Sequence, residues 1–220
     1  LFDLVGPSPR SHSIGGLALV EVPGRGLTPA QRLAKRGLDV MGSLLLIAVF
    51  SPILAAIAIA IAMIDGRPVF FRQIRVGERG RPFRILKYRT MRSDSDASGV
   101  ARLAAEADAG AVSLRDGAPG GISAIVRGLK DTGDARTTRL GTTLRRASLD
   151  ELPQLFNVLR GEMSLVGPRP LRPFEAAALA PWQLARQELR PGLTGLWQVL
   201  GRSDIEWDER MQLDYSYVAH

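Results

Sequence analysis

Polarity is distributed along this chain in blocks. Residues 1–27 are rich in Gly, Pro and Ser and read as a linker. Thr28-Pro29-Ala30-Gln31 then has the form of a capping box, with Thr28 as N-cap, Pro29 in the first turn and Gln31 reaching back. The helix it opens runs into residues 40–64, 25 positions without a charge. Straight, that run would extend roughly 37 Å, more than the ~30 Å hydrocarbon core of a bilayer. Its centre holds Ser51-Pro52. Pro52 lacks an N–H and clashes with the carbonyl four residues earlier, so it predicts a kink. Ser51 can offer its hydroxyl to a backbone group freed by that kink. Each arm is then about 18 Å long and reaches only about the bilayer midplane. Lys35 and Arg36 precede the run, and Arg67, Arg72 and Arg75 follow it. Positive charge marks the cytoplasmic side, and both ends carry it. Two topologies fit these residues: a single-pass anchor, and a bent helix that enters and leaves through one face.

After the apolar run the period changes to two. Val69-Phe70-Phe71 and Phe83-Arg84-Ile85-Leu86-Lys87 predict short strands around turns at Gly77 and Gly80. Residues 66–92 hold nine basic residues and one acid, Glu78. Such a collar is drawn to anionic lipid by roughly 1 kcal/mol per charge. A strand would also hold Lys87 and Arg89 rigidly, as phosphate ligands require. Residues 93–125, rich in Ala, Gly, Ser and Asp, read as a flexible insertion with a short helix over 100–109. Leu152, Leu155, Phe156 and Leu159 fall at helical spacing and predict a helix ending near Gly161. A strand over 163–166 and an amphipathic helix over 205–218, with Trp207, Met211, Tyr215 and Val218 on one side, complete an α+β pattern.

Charge and composition narrow the chemistry. The net charge is +7, from 29 basic and 22 acidic residues, and favours anionic partners. The chain carries no recognisable nucleic-acid motif, and the apolar run argues against that partner. There is no cysteine, and the histidines are His12 and His220. Disulfides, thiolate metal sites, a cysteine nucleophile and Ser-His catalysis are thereby set aside. Carboxylates, hydroxyls, lysines and arginines remain. Ser148-Leu149-Asp150-Glu151 matches a capping box, which alone would explain both acids. Pro153 strains that register and fits better with Asp150 as N-cap. In either register two acids sit at the positive end of a helix dipole, next to Arg145 and Arg146. Paired acids beside arginines suit a magnesium-bound phosphate ester. Gly167-Pro168-Arg169-Pro170 is either a rigid turn or a means of fixing a guanidinium for bidentate phosphate recognition. A second such element, residues 189–204, carries Arg190 and Arg202, with Trp197 expected in the core.

Taken in order, "KRGLD", the apolar run with Ser51-Pro52, "PVFFRQIRVGERGRPFRILKYRTM", "SLDELPQLFNVLRGEMSLVGPRP" and "RPGLTGLWQVLGRSD" resemble the bacterial sugar transferases, the monotopic polyprenyl-phosphate phosphoglycosyl transferases. The resemblance runs from about Lys35 to Tyr217. It implies transfer of a phospho-sugar from a UDP-sugar to undecaprenyl phosphate, with UMP released, at the start of surface glycan or exopolysaccharide synthesis. It implies a re-entrant helix broken at Ser51-Pro52 and a catalytic domain on the cytoplasmic face of the bacterial plasma membrane. The family's Asp-Glu dyad falls on Asp150 and Glu151, with Asp150 as nucleophile through a covalent intermediate and both acids toward Mg²⁺. Its basic positions fall on Arg145 and Arg169, then Lys87 and Arg202. The expected organisation is a linker or remnant of an upstream region over 1–34, a re-entrant helix-break-helix over 35–66, and a compact, mainly helical domain with short strands over 67–220. Anionic lipids are expected partners, nucleic acid is not, and homo-oligomerisation stays open. The rivals are a catalytically silent scaffold of a glycan-export complex and a lipid-phosphate hydrolase.

Overall fold

The computed structural model describes residues 11–14, 17–20, 28–92, 137–200 and 207–219. An antiparallel hairpin of β1 (Ser11–Ile14) and β2 (Leu17–Val20) comes first. The long helix α1 (Pro29–Ile64) begins on the expected capping box. Thr28 N–H donates to Gln31 Oε1 at 2.8 Å and Gln31 N–H to Thr28 Oγ1 at 3.3 Å.

α1 is a single helical element with Pro52 inside it. The expected split into two helices does not interrupt it. The chemical effect of Pro52 is nonetheless present: the residue has no N–H for the Ala48 carbonyl, and Ser51 Oγ donates to that carbonyl at 2.9 Å. Buried positions on α1 fall into two groups, Asp39 with Ser43 and Leu54 with Ile57 and Ile61; none of residues 44–53 is buried. Polar bonds hold the first group at Asp39, whereas buried Ser43 Oγ has no hydrogen-bond partner. Lys35 Nζ, Ser164 Oγ and Leu165 N–H all donate to Asp39 Oδ1. Arg36 donates to the Val158 and Leu159 carbonyls at 2.6 and 2.7 Å. Apolar contact holds the second group. Leu54, Ile57 and Ile61 pack with Tyr88 and Leu144, and the Tyr88 hydroxyl donates to the Leu54 carbonyl at 2.7 Å. Arg89 donates to the Asp65 and Gly66 carbonyls and so closes the end of α1.

The period-two segment folds as an antiparallel pair, β3 (Phe70–Val76) and β4 (Pro82–Tyr88). A 3-10 turn, Glu78–Gly80, joins them, with Arg79 and Gly80 at φ 56° and 74°. Beyond it come α2 (Arg139–Arg146), a 3-10 turn Leu149–Glu151, α3 (Gln154–Arg160) and β5 (Ser164–Val166). α3 ends at Gly161, whose φ of 83° supplies the left-handed C-cap. Then follow α4 (Pro173–Ala177), a 3-10 segment Pro181–Glu188, β6 (Gly192–Thr194), α5 (Leu196–Leu200) and α6 (Trp207–Ala219). β6 pairs with β5 in parallel.

Phe83, Ile85, Val158 and Met163 form a core between the hairpin and α3. Buried Asn157 locks the two together, accepting from Leu86 N–H at 3.0 Å and donating to the Arg84 carbonyl at 2.8 Å. A separate cluster of Leu171, Trp207 and Met211 seats α6. The fold is mixed helix and short strand, with one long apolar helix leading it. The insertion 93–125, with its expected helix over 100–109, lies outside the described residues, as does Arg202.

Candidate active site

Strand register decides which basic residues turn inward. Arg75 pairs with Phe83, Gln73 with Ile85 and Phe71 with Lys87. Cross-strand partners share a face, so Arg75 and Lys87 lie at opposite ends of one face. Arg72, Arg79, Arg81 and Arg84 are exposed.

The dyad arrives on a tight reversal. α2 ends at Arg146, and Ser148 adopts φ 56° and ψ 20°, turning the chain into the Leu149–Glu151 turn. Leu149 and Leu152, on either side of the acids, pack against the Leu54, Ile57 and Ile61 cluster of α1. Anchored this way, the turn buries Asp150 to 8 % exposure. The capping box expected from Ser148 does not form. An N-cap needs extended backbone, and left-handed Ser148 makes no side-chain cap bond. Pro153, not Asp150, precedes α3. Capping therefore accounts for neither carboxylate.

Glu151 Oε1 accepts from Lys87 Nζ at 2.5 Å, with side chains 23 % and 17 % exposed. Arg75, Gln154, Arg169, Pro170 and Gln198 line the same cleft. The Arg169 guanidinium lies 5.7 Å from the Trp197 ring, and Trp197 is buried as expected. Three buried atoms of the cleft residues lack a hydrogen-bond partner: Arg75 Nε, Gln154 Nε2 and Gln198 Oε1. Arg145 donates from Nε to Thr90 Oγ1 at 2.9 Å while its charge acts on Asp150. The fold thus gathers Lys87, Glu151 and Arg169 in one cleft, with Asp150 and Arg145 beside it. Ser51 and Pro52 lie apart, in the apolar run of α1.

The two neighbouring acids diverge electrostatically. Burial pushes the Asp150 carboxyl up, and the adjacent Glu151 charge adds to this; Lys87 and Arg145 pull it down without overcoming the rise. Burial also pushes Glu151 up, yet Lys87, Arg169 and Arg75 together hold it below the ordinary carboxylate value. Burial lowers Lys87 despite the opposing Glu151 charge. Burial brings Arg75 down to about 10, so it remains a cation at neutral pH. Glu151 is the fixed ion-pair partner, and Asp150 the more basic carboxylate. The two adjacent carboxylates therefore differ in proton affinity.

Arg75, Gln154 and Gln198 are cleft residues that the sequence did not disclose. For Arg75 a signal existed: the alternation that turns Lys87 inward turns Arg75 inward too, once the hairpin register is fixed. Among the described residues His, Cys, Asp and Glu side chains do not gather in threes. Asp150 and Glu151 offer adjacent carboxylates, and Mg²⁺ accepts one or two carboxylates with substrate phosphates completing its shell. The donor set, with orphaned donors nearby, fits a cation that arrives with a phosphate.

A family model described as bacterial sugar transferase matches residues 30–220. The chain is 36% identical over 194 residues to the exopolysaccharide production protein ExoY of Rhizobium meliloti, across 87% of this chain and 80% of that protein. It is 44% identical over 194 residues to the UDP-glucose:undecaprenyl-phosphate glucose-1-phosphate transferase of Caulobacter vibrioides, across 84% of this chain and 62% of that one. With the undecaprenyl-phosphate galactose phosphotransferase of Salmonella typhimurium identity is 36% over 191 residues, across 87% of this chain and 37% of that protein. The chain therefore spans less than two thirds of the length of these last two relatives. Because the match runs from the first turn of α1 through the cleft and α6, the chain belongs to the bacterial sugar transferase family.

Proposed function

We propose that this protein transfers a phospho-sugar from a UDP-sugar to undecaprenyl phosphate and releases UMP, at the start of exopolysaccharide or other surface glycan synthesis. The observation that carries this reading is the cleft itself. A buried aspartate of raised proton affinity stands beside a Lys87–Glu151 pair and the Arg169 guanidinium. The relatives' names point to the same substrates, undecaprenyl phosphate with a glucose or galactose donor.

Ionised Asp150 attacks the phosphorus nearest the sugar. A bond forms from its carboxylate oxygen to phosphorus, and the bridging bond to UMP breaks with the electron pair leaving on UMP. The terminal oxygen of undecaprenyl phosphate then attacks the same phosphorus and frees Asp150. No separate base is needed for either step, since both nucleophiles are anions. Arg169 and Lys87 offset charge on the transferred group, and Glu151 keeps Lys87 in place. Asp150 and Glu151 would hold Mg²⁺, which neutralises the phosphoryl oxygens.

The reading includes a membrane seat for α1. Both of its ends are tied to one domain, Lys35, Arg36 and Asp39 through polar bonds and Leu54 to Ile61 through packing. The stretch between them leaves Leu44, Leu45, Val49 and Ile53 exposed. A helix that dips into the bilayer around Ser51-Pro52 and returns accounts for both facts. It places the domain on the cytoplasmic face, the exposed arginines of the hairpin near anionic lipid, and the dyad where a soluble nucleotide sugar meets a lipid phosphate. Single cysteines at Arg32 and Arg79 label from the same face in this arrangement, whereas labelling from opposite faces rules out re-entry. For the reaction, UDP-sugar, Mg²⁺ and undecaprenyl phosphate yield UMP, and Asp150→Asn lowers its release by at least about a thousandfold. Release of UDP contradicts the proposal.

A further inference from the structure

Arg169 sits in a turn whose every residue is held by its backbone. Gly167 N–H donates to the Thr194 carbonyl at 2.9 Å, and the Pro168 carbonyl accepts from Gly192 N–H at 2.8 Å. The Arg169 carbonyl accepts from Arg186 Nη2 at 2.7 Å, and the Pro170 carbonyl from Arg75 Nη1 at 3.2 Å. A Cβ on Gly167 would meet the Arg190 carbonyl at 2.5 Å and Gly192 N at 3.0 Å, so the chain entering β6 lies against the turn with no room to spare.

Each of these two guanidiniums is held in turn by a buried acid. Arg186 Nη2 also donates to Asp214 Oδ2 at 2.6 Å, and the two side chains are 4 % and 1 % exposed. Arg75 Nη1 lies 3.8 Å from Glu175 Oε2, and its Nη2 donates to Gln73 Oε1 at 2.6 Å. Glu175 is itself locked, accepting from Arg172 Nε and Nη2 at 3.0 and 2.7 Å. Four separate elements, β3, α4, the 3-10 segment Pro181–Glu188 and α6, converge on two consecutive peptide carbonyls.

We infer that the Arg186–Asp214 and Arg75–Glu175 pairs are positioning devices that fix the main chain at Arg169–Pro170 and so aim the Arg169 guanidinium at the phosphate of the substrate. This rests on the reading of Arg169 given under the proposed function. A buried ion pair is in itself weak evidence for stability. Buried ion pairs are commonly matched or bettered by apolar residues of the same volume, because desolvation offsets their attraction. Burial pushes Asp214 up to about 6 even with Arg186 in contact. What an apolar replacement cannot do is donate to a carbonyl. Holding a phosphate-binding group within a fraction of an ångström is the kind of task for which such a bond is kept, since small misplacements cost up to about a hundredfold in rate.

The test is a double-mutant cycle on the full chain in bilayer nanodiscs, reading kcat/KM for the UDP-sugar by UMP release together with the thermal midpoint. Asp214→Asn keeps the shape and removes the charge that orients Arg186. It lowers kcat/KM about tenfold to a hundredfold in the wild-type background. In the Arg169→Ala background the same change alters kcat/KM less than about twofold, since nothing remains to be aimed. Equal losses in both backgrounds, or no loss in the first, overturn the positioning role and leave the reaction standing. A wild type that releases no UMP removes the reaction, and the positioning role with it. If Asp214→Asn does not fold, Glu175→Gln runs through the same cycle against the Pro170 arm.

Discussion

Two of the ion pairs around Arg169, Lys87–Glu151 and Arg186–Asp214, differ in one respect that separates their work. At the mouth of the cleft, Lys87 and Glu151 meet at 2.5 Å with 17 % and 23 % of their side chains open to solvent. Behind the turn, Arg186 and Asp214 meet at 2.6 Å with almost nothing exposed. The bond lengths match, but access does not. A partly exposed pair keeps some contact with solvent, so under the proposed reaction its lysine is the one that can turn to a phosphate. A sealed pair cannot exchange partners, and its second hydrogen bond goes to the main chain. The Arg190–Glu78 pair, at 3.2 Å and with about a third of each side chain exposed, serves as the solvent-screened reference.

The comparison is broken most forcefully at the open pair. Lys87→Met removes the cation that most lowers the Asp150 carboxyl and that faces the cleft. Activity at neutral pH falls about a hundredfold, on the scale of losing one preorganised electrostatic contact to the transferred group. The acid limb of the pH–rate profile also moves. Under the proposed reaction Asp150 attacks only when ionised, so the rate is expected to fall as pH drops through its raised value. Without Lys87 that value rises further, and the limb shifts to higher pH. An unshifted limb would separate Asp150 from the rate-limiting group. The sealed pair, probed by Asp214→Asn, ranks at or below this effect and passes entirely through Arg169. Least of all, Arg190→Ala leaves UMP release within about twofold and costs about 0.2–1 kcal/mol in stability, as screened pairs do. A loss there as large as at Lys87 would show that exposure does not sort the roles.

Which features the sequence disclosed follows from the range of the bonds involved. The Thr28–Gln31 box, the Ser51 bond to Ala48 and the Gly161 cap all close within a few residues, and their donors and acceptors stand together in the chain. The hairpin strands and α6 followed from their periods. Ser148 failed for a local reason of a different kind: its side chain suits an N-cap, but the turn that carries Asp150 demands a left-handed backbone there. The "KRGLD" segment read as a charged flank of a membrane helix. Its side chains instead reach residues 158–165, about 125 positions away, and no local pattern announces that. Arg75 likewise read as part of a lipid-facing collar until the strand register turned it toward Lys87. Asp214 and Arg186, 28 residues apart on different elements, carry no signature short of the tertiary fold. Two acids beside arginines stand out in the chain, but spacing alone left capping and catalysis both open and the resemblance supplied the dyad reading, whereas the residues inferred to aim Arg169 carry no local signal.

The central claim is that Asp150 carries the phospho-sugar between donor and acceptor. Intact-mass and peptide mass spectrometry of the enzyme incubated with UDP-sugar and Mg²⁺, without lipid acceptor, measures this directly. A phospho-sugar adduct on the Asp150 peptide, formed with one equivalent of UMP and discharged when undecaprenyl phosphate is added, is the expected result. Steady turnover by an enzyme that never gains that mass, or an adduct on another residue, contradicts it.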